Sequence, residues 1–446
     1  MKTILILEDN EAREELLRQA IAQAGPDYHI KVWSDASTMC AECAAFFPET
    51  VLISLDHDLN PRPGTTTDPG TGMDVARFLG DHVPVCPVIV HSQNVDWVWS
   101  MYNELRFAGW TVEQAGGMGV DWSQMNWLRS AHPMLQENRN TWKINLPVDH
   151  ASRVDRMQLS LDGLGIGDAL GEMLSYRHEQ AYCRVMENEL SSGPWLHTDD
   201  TEMAISIFAV LRSHGELNQD ALAKRFARRF EREPDRGYGK MTRIQLREIN
   251  AGAKWRDTAA NAFGGQGSMG NGGAMRVAPL GAYFAGDLEK CISAARDSAL
   301  VTHTHPEGVA GTIAVAVAAA TAWRLRDVPA ADFAREFFAE ILKGTPESQV
   351  RRGTLVASQT PVEVPVQDVA GALGNGSLVT APDTVPFCLW MAAHHSRNFV
   401  DAIGKTISAG GDCDTNAAIV GGIVALGAGR ESIPVEWLQA REKIQI

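Results

Sequence analysis

The first 130 residues alternate between short apolar runs and amphipathic stretches. Each apolar run predicts a buried strand, and apolar residues recurring every three or four positions predict the helices between them. Strands alternating with helices at this spacing predict a parallel sheet covered by helices on both faces. In chain order the predicted strands are 4–7, 29–33, 51–55, 87–90 and 110–113, and the predicted helices are 11–24, 37–47, 72–79 and 95–108.

The pattern changes twice beyond this region. Residues 134–155 are polar and interrupted by proline, which predicts a linker. From residue 156 onward, long alanine-rich helical stretches are joined by glycine-rich turns, and few alternating β-branched runs occur. The sequence therefore predicts a flavodoxin-like, doubly wound α/β domain at 1–133, a linker at 134–155 and an all-α domain at 156–446.

The charge and the cysteine content of the chain indicate which classes of protein function are disfavoured. The chain of 446 residues carries 55 acidic and 40 basic residues, a net charge of -15, which argues against a general nucleic-acid or anionic-membrane binder. The seven cysteines are dispersed, and Met1-Lys2 leads directly into a strand-like run, so we expect a reduced, cytoplasmic protein without a signal peptide. The apolar run 309–322 is too short to span a membrane, which needs about 20 residues.

Two acidic segments of the helical region each precede a helical pattern: residues 197–201 (His-Thr-Asp-Asp-Thr) and 410–415 (Gly-Gly-Asp-Cys-Asp-Thr). One such cluster alone would favour a simple helix cap. Each segment, however, supplies three closely spaced oxygen atoms, and adjacent carboxylates repel each other unless a cation neutralises them. Four carboxylates and two hydroxyls form the all-oxygen set expected of Mg²⁺ or Mn²⁺. Two such ions could orient a substrate diol and activate a water.

A glycine-rich segment at 264–276 lies between the two acidic segments. It contains a GxGxxG match at Gly265, Gly267 and Gly270, but no strand precedes it, so a Rossmann interpretation fails. Such a loop lets backbone N–H groups approach a diphosphate closely. A surface loop without a ligand is the alternative.

Four motifs together resemble the ADP-ribosylglycohydrolase family over nearly all of 156–440. They are Gly-Asp-Ala-Leu-Gly-Glu (167–172), Thr-Asp-Asp-Thr (198–201), Gly-Asn-Gly-Gly-Ala-Met-Arg (270–276) and Gly-Asp-Cys-Asp-Thr (411–415). The resemblance implies an all-α hydrolase that cleaves an ADP-ribosyl linkage at the anomeric carbon of the distal ribose. Cys413 replaces the family's usual threonine at a position that is not a ligand.

The resemblance also implies roles for individual residues. Glu172 is a candidate acid or substrate contact, and Asp199, Asp200 and Asp414 belong with it to the predicted catalytic group. His303 falls where the family has a substrate-contacting histidine, with a capping histidine as the alternative. The implied ligands of two Mg²⁺ ions, with Mn²⁺ as a substitute, are Thr198, Asp199, Asp200, Asp412, Asp414 and Thr415, and the implied substrate loop contains Gly270, Asn271, Gly272 and Gly273.

The amino-terminal domain resembles a phospho-receiver domain. Glu8 and Asp9 end the first predicted strand and Asp56 ends the third, where a receiver has its Mg²⁺ ligands and phosphoacceptor. Ser92 matches the receiver's hydroxyl position. No lysine follows the last strand up to Arg129, which argues against phosphotransfer.

The same edge of the sheet suggests a different chemistry. The third strand continues as Asp56-His57-Asp58, and the fourth ends in His91-Ser92. Residues 1–130 thereby resemble the receiver-derived domain proposed to process cyclic phosphates, and His57 and His91 would be catalytic in acid–base cleavage of a phosphodiester. The alternative is a degenerate receiver whose histidines only bond backbone carbonyls.

We therefore predict a Mg²⁺-dependent ADP-ribosylglycohydrolase acting on an ADP-ribose-containing small molecule or an ADP-ribosylated protein. The fusion raises the hypothesis that the amino-terminal domain processes a cyclic phosphate such as ADP-ribose 1'',2''-cyclic phosphate. Two alternatives stay open: a receiver that gates the glycohydrolase, and a non-catalytic, crystallin-like or ADP-ribose-binding protein.

Overall fold

A computed structural model describes residues 2–24, 28–61, 68–92, 95–115, 124–136 and 146–445 of the chain. The chain forms two compact units. The N-terminal unit comprises Met1–Pro147 with Ser213–Gly215, and the helical unit comprises Val148–Arg212 with Glu216–Ile446. The domain boundaries at 133 and 156 stay predictions. Within the described ranges, no helix has the length and apolar character needed to cross a membrane.

Among the described residues of the N-terminal unit, five parallel strands form one sheet: Lys2–Leu7 (β1), Tyr28–Trp33 (β2), Thr50–Asp56 (β3), Val88–His91 (β4) and Val112–Gln114 (β5). The strand order is β2-β1-β3-β4-β5, which confirms the predicted doubly wound α/β fold. The register pairs Leu7 with Leu55 and Asp56 with His91. The carboxyl ends of β1, β3 and β4 therefore share one edge of the sheet.

Helices cover both faces of the sheet because its central strands are apolar on both sides. Ile4 and Ile6 are buried on one face and Leu5 and Leu7 on the other. The helices of this unit are Glu11–Ala24 (α1), Ala36–Glu42 (α2), Gly72–Gly80 (α3), Val95–Phe107 (α4) and Gln124–Gln136 (α5).

Three segments differ from the sequence-based prediction. The predicted helix 37–47 is divided into α2 and a 3₁₀ helix at Cys43–Glu49, which contains Pro48, a residue without a backbone N–H. The helix α5 was not predicted, although it buries Trp127 completely beneath the sheet. The predicted linker 134–155 begins within α5 and ends within a helix that starts at His150, and residues 137–145 lie outside the described ranges.

The second unit confirms the predicted all-α architecture. Most of its buried apolar side chains belong to one continuous core. Its helices are His150–Leu174 (α6), His178–Met186 (α7), Asp199–His214 (α8), Gln219–Arg232 (α9), Lys240–Asn250 (α10), Trp255–Gly265 (α11), Ala278–Tyr283 (α12), Leu288–Leu300 (α13), Pro306–Arg324 (α14), Ala330–Gly344 (α15), Gln349–Gln359 (α16), Val366–Leu373 (α17), Ala381–His394 (α18), Phe399–Ser408 (α19), Cys413–Ala428 (α20) and Val435–Ala440 (α21).

The glycines at the end of α6 form a seam with α20. A Cβ atom on Gly163 would lie 2.4 Å from the carbonyl oxygen of Gly421, and one on Gly167 would lie 2.0 Å from that of Ala417. Since these glycines recur every four residues, they lie on one face of α6 and allow the two backbones to touch. The seam continues to Gly171, whose Cβ would lie 2.4 Å from the carbonyl oxygen of Cys413. It thus fixes the acidic start of α20 against α6.

Candidate functional site

Two acidic segments of the helical unit open onto one cavity of about 710 Å³. Asp199 and Asp200 begin α8, and Asp412 and Asp414 lie at the start of α20. These four aspartates line the cavity together with Thr415. The structure therefore brings together five of the six residues that we predicted as metal ligands. The sixth, Thr198, is buried and donates its hydroxyl to Asp200 Oδ2 at 2.9 Å.

The helix-cap interpretation does not describe these carboxylates. Asp412 stands at the N-cap position of α20, yet its side chain makes no capping hydrogen bond. The start of α8 is held by Asp168 of α6, whose carboxylate accepts from the backbone N–H groups of Thr198 at 3.0 Å and Thr201 at 3.1 Å. At the start of α20, Asp414 Oδ1 does accept the N–H of Thr415 at 2.9 Å, so a local backbone contact remains there, whereas at α8 Asp168 supplies the acceptor and leaves Asp199 and Asp200 facing the cavity.

Asp168 is a residue whose role the sequence analysis missed. Its Oδ2 also accepts from the Thr201 hydroxyl at 2.5 Å, so three donors fix this one side chain. Burial raises the pKa of Asp168 to about 6. The position of Asp168 in the 167–172 motif was the available indication in the sequence. Only the structure shows that Asp168 orients the neighbouring acidic segment.

The cavity carboxylates influence one another, and Asp199 and Asp200 are buried whereas Asp412 and Asp414 are partly exposed. Burial, and then the negative charges of Asp168 and Asp414, raise the pKa values of Asp199 and Asp200 well above their usual range. Burial and the neighbouring Asp414 raise the pKa of Asp412 to about 7. Carboxylates that repel one another in a buried site favour a cation that neutralises them. The oxygen donor set therefore fits Mg²⁺ or Mn²⁺.

These aspartates are spread more widely than a single-ion site. Among the residues that the structure describes, the three carboxylates whose ligand atoms all lie within 4.8 Å of one another are Glu8, Asp9 and Asp56 of the N-terminal unit. Two ions held about 3.5–4 Å apart distribute their ligands over a larger volume. The spacing in the helical unit is therefore compatible with a two-ion site, whereas the N-terminal group is compact enough for one ion.

The glycine-rich loop forms one wall of the cavity. Gly270, Asn271 and Gly272 line it, whereas Gly273 packs on α14, where an added Cβ would lie 2.3 Å from Thr312 Oγ1. The Asn271 amide donates to Asp412 Oδ2 at 2.7 Å. This asparagine therefore orients a predicted metal ligand, and the loop is part of the packed structure rather than a surface loop without contacts.

His303 also lines the cavity, while the capping role belongs to His305, which accepts from the N–H of Glu307 at the start of α14. The Thr302 hydroxyl accepts from Arg276 at 2.9 Å and lies 2.7 Å from His303 Nδ1. The hydroxyl that accepts from Arg276 still has its own hydrogen, and donation of that hydrogen to Nδ1 would place the ring proton on Nε2. Burial and the Arg276 charge lower the pKa of His303 to about 3, so the ring is a neutral donor.

Glu172 differs from the other predicted site residues. It lies in the last turns of α6 with an exposed side chain, and it is not among the residues that line the cavity. Partial burial and the charge of Asp414 raise its pKa. The carboxyl group of Glu172 is thus close enough to the acidic segment of α20 for the charge there to raise its pKa. Its catalytic role stays a prediction.

The N-terminal unit has a second acidic site at the carboxyl edge of its sheet. Glu8, Asp9 and Asp56 converge there, as their places at the ends of β1 and β3 predicted. The Nη2 atom of Arg13, on α1, lies within 3.2 Å of all three carboxylates. His91 Nε2 lies 3.4 Å from Glu8 Oε2. The contact with Arg13 was not predicted from the sequence.

The two predicted histidines of this unit have different environments. His91 is buried, with Nδ1 3.2 Å from the Ser54 hydroxyl, which accepts from Trp127 Nε1. His57 instead pairs through Nδ1 with Asp58 at 2.7 Å, and its ring stacks on Trp97 with centroids 4.9 Å apart. His57 thus has the arrangement of a general base held by a carboxylate, whereas His91 contacts the acidic group.

Asp58 is held on both of its oxygens. It faces His57 on one side, and its Oδ2 accepts from the Ser92 hydroxyl at 2.8 Å. Although partial burial raises the pKa of Asp58, these two hydrogen bonds lower it below the usual value. An ionised Asp58 keeps the Nδ1 proton of His57 in place and leaves Nε2 as the basic nitrogen.

Comparison with known proteins assigns a family model to each unit. Residues 149–445 match the model for ADP-ribosylglycohydrolase, and residues 4–107 match that for the cyclic-phosphate processing receiver domain. The chain is 30% identical over 283 residues to the ADP-ribosylhydrolase ARH3 of Gallus gallus, covering 56% of this chain and 74% of that protein. It is 28% identical over 336 residues to the ADP-ribosylhydrolase ARH3 of Mus musculus, covering 66% and 89%. A solved structure described as an ADP-ribosylglycohydrolase-related protein complex has a TM-score of 0.48 and 26% identity, covering 66% of this chain and 94% of its own.

Proposed function

Because this chain belongs to the ADP-ribosylglycohydrolase family, we propose that its helical unit hydrolyses an ADP-ribosyl linkage at the anomeric carbon of the distal ribose. The oxygen of a water forms a bond to that carbon, the bond to the leaving group breaks, and a proton passes to the leaving group. The substrate is an ADP-ribose-containing small molecule or an ADP-ribosylated protein.

The proposed cofactor is a pair of Mg²⁺ ions, for which Mn²⁺ would substitute. When bound, the ions would supply Lewis-acid activation of the water and orientation of the ribose hydroxyls. The donor set supports this assignment because every group in it is an oxygen and five of the six residues line one cavity. The residues proposed to hold the ions are Thr198, Asp199, Asp200, Asp412, Asp414 and Thr415.

The protein's own groups would position this chemistry. Asp168 holds the segment that carries Asp199 and Asp200, and Asn271 orients Asp412. His303, as a neutral Nε2–H donor, would hydrogen-bond a ribose or phosphate oxygen. Glu172, whose pKa is raised, is the proposed acid that donates the proton to the leaving group.

The observation that carries this proposal is the convergence in one cavity of four aspartates from two helix starts, with Asp199 and Asp200 buried and the other two partly buried. Asp412→Ala with Asp414→Ala should abolish the Mg²⁺-dependent release of ADP-ribose, because half of the carboxylate ligands are lost. Asp332→Ala is the matched control, since Asp332 also lies in the first turn of a helix, α15, and pairs only with the exposed Arg335.

The identity of the leaving group requires a panel of substrates. ADP-ribose attached to arginine, serine, acetyl, phosphate and nucleic acid would be assayed with Mg²⁺, scoring released ADP-ribose. The net charge of -15 makes the nucleic-acid conjugate the poorest expected substrate. Release from none of them by the wild-type chain would contradict the enzymatic proposal and favour a non-catalytic protein.

For the N-terminal unit we propose a second activity, the opening of a cyclic phosphate such as that of ADP-ribose 1'',2''-cyclic phosphate. The supporting observation is the pairing of His57 with Asp58 beside the acidic group. In this step His57 Nε2 takes a proton from water, and the water oxygen bonds to phosphorus. One ring P–O bond breaks, and the departing ribose oxygen takes up a proton, which leaves a phosphomonoester and a free hydroxyl.

This second activity is tested in the full chain carrying Asp412→Ala and Asp414→Ala, so that the helical site does not contribute. His57→Ala should then lower the rate of ring opening by at least about 100-fold, the range lost with a general base. His29→Ala, an exposed histidine on β2, serves as the control. Absence of ring opening before any histidine is changed, with Mg²⁺ and with Mn²⁺, would exclude the proposal.

A further inference from the structure

A single guanidinium nitrogen lies at the centre of the N-terminal acidic group. Arg13 Nη2 is 2.8 Å from Asp56 Oδ2, 3.0 Å from Glu8 Oε1 and 3.2 Å from Asp9 Oδ1. The carboxylate side chains are almost completely buried, whereas that of Arg13 is 22% exposed. The guanidinium therefore neutralises part of a buried negative charge and retains a route to solvent.

The three carboxylates are held in place by contacts that do not involve Arg13. Asp9 Oδ2 accepts from the backbone N–H of Asn60 at 2.8 Å and from its side-chain amide at 3.0 Å. Asp56 Oδ1 accepts from the N–H of His57 at 2.8 Å, and Glu8 Oε1 accepts from the N–H of Asn10 at 3.0 Å. Because of these contacts, the oxygens would keep their places if the guanidinium moved away.

The same three carboxylates form a ligand set suited to a divalent ion. One oxygen from each of Glu8, Asp9 and Asp56 lies within 4.8 Å of the others, and Mg²⁺ binds carboxylate oxygens at about 2.0–2.1 Å. An ion at that distance from all three would occupy the space around Arg13 Nη2. Two cations at such short range also repel each other strongly, since the site is largely buried. Occupation by the ion and by the guanidinium is therefore mutually exclusive.

We propose that Arg13 is an internal counter-ion that competes with a divalent cation for Glu8, Asp9 and Asp56. The guanidinium sets the cation affinity of the N-terminal unit by occupying its carboxylates, and cation binding releases it. This inference goes beyond both proposed activities, and its test measures cation binding rather than turnover, so that either can fail without the other.

The test is a calorimetric titration with Mn²⁺ of the full chain, in the Asp412→Ala, Asp414→Ala background that removes the helical site. Arg13→Gln should tighten Mn²⁺ binding at least tenfold because the competing charge is lost. Arg18→Gln is the matched control: Arg18 lies on the same helix and pairs with Glu14, so its removal should change the affinity by less than twofold. Adding Asp56→Asn to Arg13→Gln should abolish the increase in Mn²⁺ affinity, which would show that the increase arises at this site.

A charge-preserving variant separates competition from packing. Arg13→Lys keeps a cation near the carboxylates, so its affinity for Mn²⁺ should stay within about threefold of the background. Equal tightening in Arg13→Lys and Arg13→Gln, or no tightening in Arg13→Gln, would overturn the proposal.

The competition between Arg13 and the cation can also be tested if Arg13→Gln fails to fold. If Arg13→Gln unfolds without metal because three buried carboxylates repel each other, Mn²⁺ should restore its far-ultraviolet circular dichroism and raise its melting temperature more than that of the background protein. Failure of Mn²⁺ to restore the fold would contradict the proposal.

Discussion

The two acidic sites of this protein are built from the same residue types but differ in how their charge is balanced. In the helical unit, the cavity aspartates repel one another, and burial together with this repulsion raises the pKa of Asp412 to about 7. In the N-terminal unit, Arg13 supplies a positive charge within 3.2 Å of every carboxylate. We therefore propose that the first site depends on an external cation, whereas the second has Arg13 as an internal one.

This contrast shows that an acidic cluster does not by itself define a metal site. Both clusters sit at ends of secondary-structure elements and both have oxygen donors suited to Mg²⁺. What separates them is one side chain, placed four residues after Asp9 on α1.

The largest expected effect concerns the residue that holds the α8 segment. Asp168→Ala removes the acceptor of two backbone N–H groups and one hydroxyl, so the ligands of that segment lose their support. We expect metal affinity to fall about 10- to 100-fold, the usual cost of losing such a supporting group. Titration of Mn²⁺ by electron paramagnetic resonance measures it.

Asp162→Ala is the matched control for this experiment. Asp162 lies on the same helix and is buried, but it pairs with Arg430 and Arg441. It should affect stability without changing metal affinity. Equal losses of affinity in both variants would show that Asp168 acts only through general stability.

The second prediction concerns pH and the metal-free helical site. The folded-state pKa of Asp412 is raised to about 7, whereas an unfolded aspartate titrates near 3.9. Between these values the folded state binds more protons than the unfolded state, so the free energy of unfolding should decrease as pH rises from about 4 to about 7. Urea denaturation in the presence of EDTA measures this dependence.

Two comparisons show whether the dependence comes from this site. Asp412→Asn should have a flatter profile than the wild type in EDTA, because the titrating group is gone. Saturating Mg²⁺ should also remove the decrease, since the bound cation favours the charged carboxylate. If the wild-type profile in EDTA coincides with that of Asp412→Asn, the raised pKa of Asp412 is not the cause of the pH dependence.

The smallest expected effect concerns the contact between Thr302 and His303. Thr302→Val removes the hydroxyl that accepts from Arg276 and fixes the ring proton of His303 on Nε2. The loss of one oriented hydrogen bond, about 0.5–1.5 kcal/mol, should raise KM for the ADP-ribosyl substrate roughly 2- to 10-fold with little change in kcat. Thr354→Val, on α16 and bonded only to the carbonyl of Val350, should leave both constants unchanged.

Much of the fold and the outline of the site followed from sequence. The five strands and the pairing of Asp56 with His91 at one edge agree with the alternation of apolar and amphipathic segments. The convergence of Asp199 and Asp412 followed from motifs carried over from a family, because no local pattern reports that two segments more than 200 residues apart will meet.

What escaped prediction depended on tertiary contacts. Gly167 and Gly171 stand in the 167–172 motif, but only the seam with α20 shows why these positions and Gly163 are glycines. Arg13 has an ordinary place on an amphipathic helix, so its contact with three carboxylates could not be distinguished from a solvated position. α5 contains Pro133, and the complete burial of its Trp127 is visible only once the sheet is present.

We expect the helical site to bind divalent cations while Arg13 occupies the N-terminal one. Counting the Mn²⁺ ions bound tightly by the wild-type full chain tests it most directly. We predict two tight ions, both lost in the Asp412→Ala, Asp414→Ala variant, and one additional tight ion in Arg13→Gln. Retention of the tight ions after both helical aspartates are removed would contradict the account.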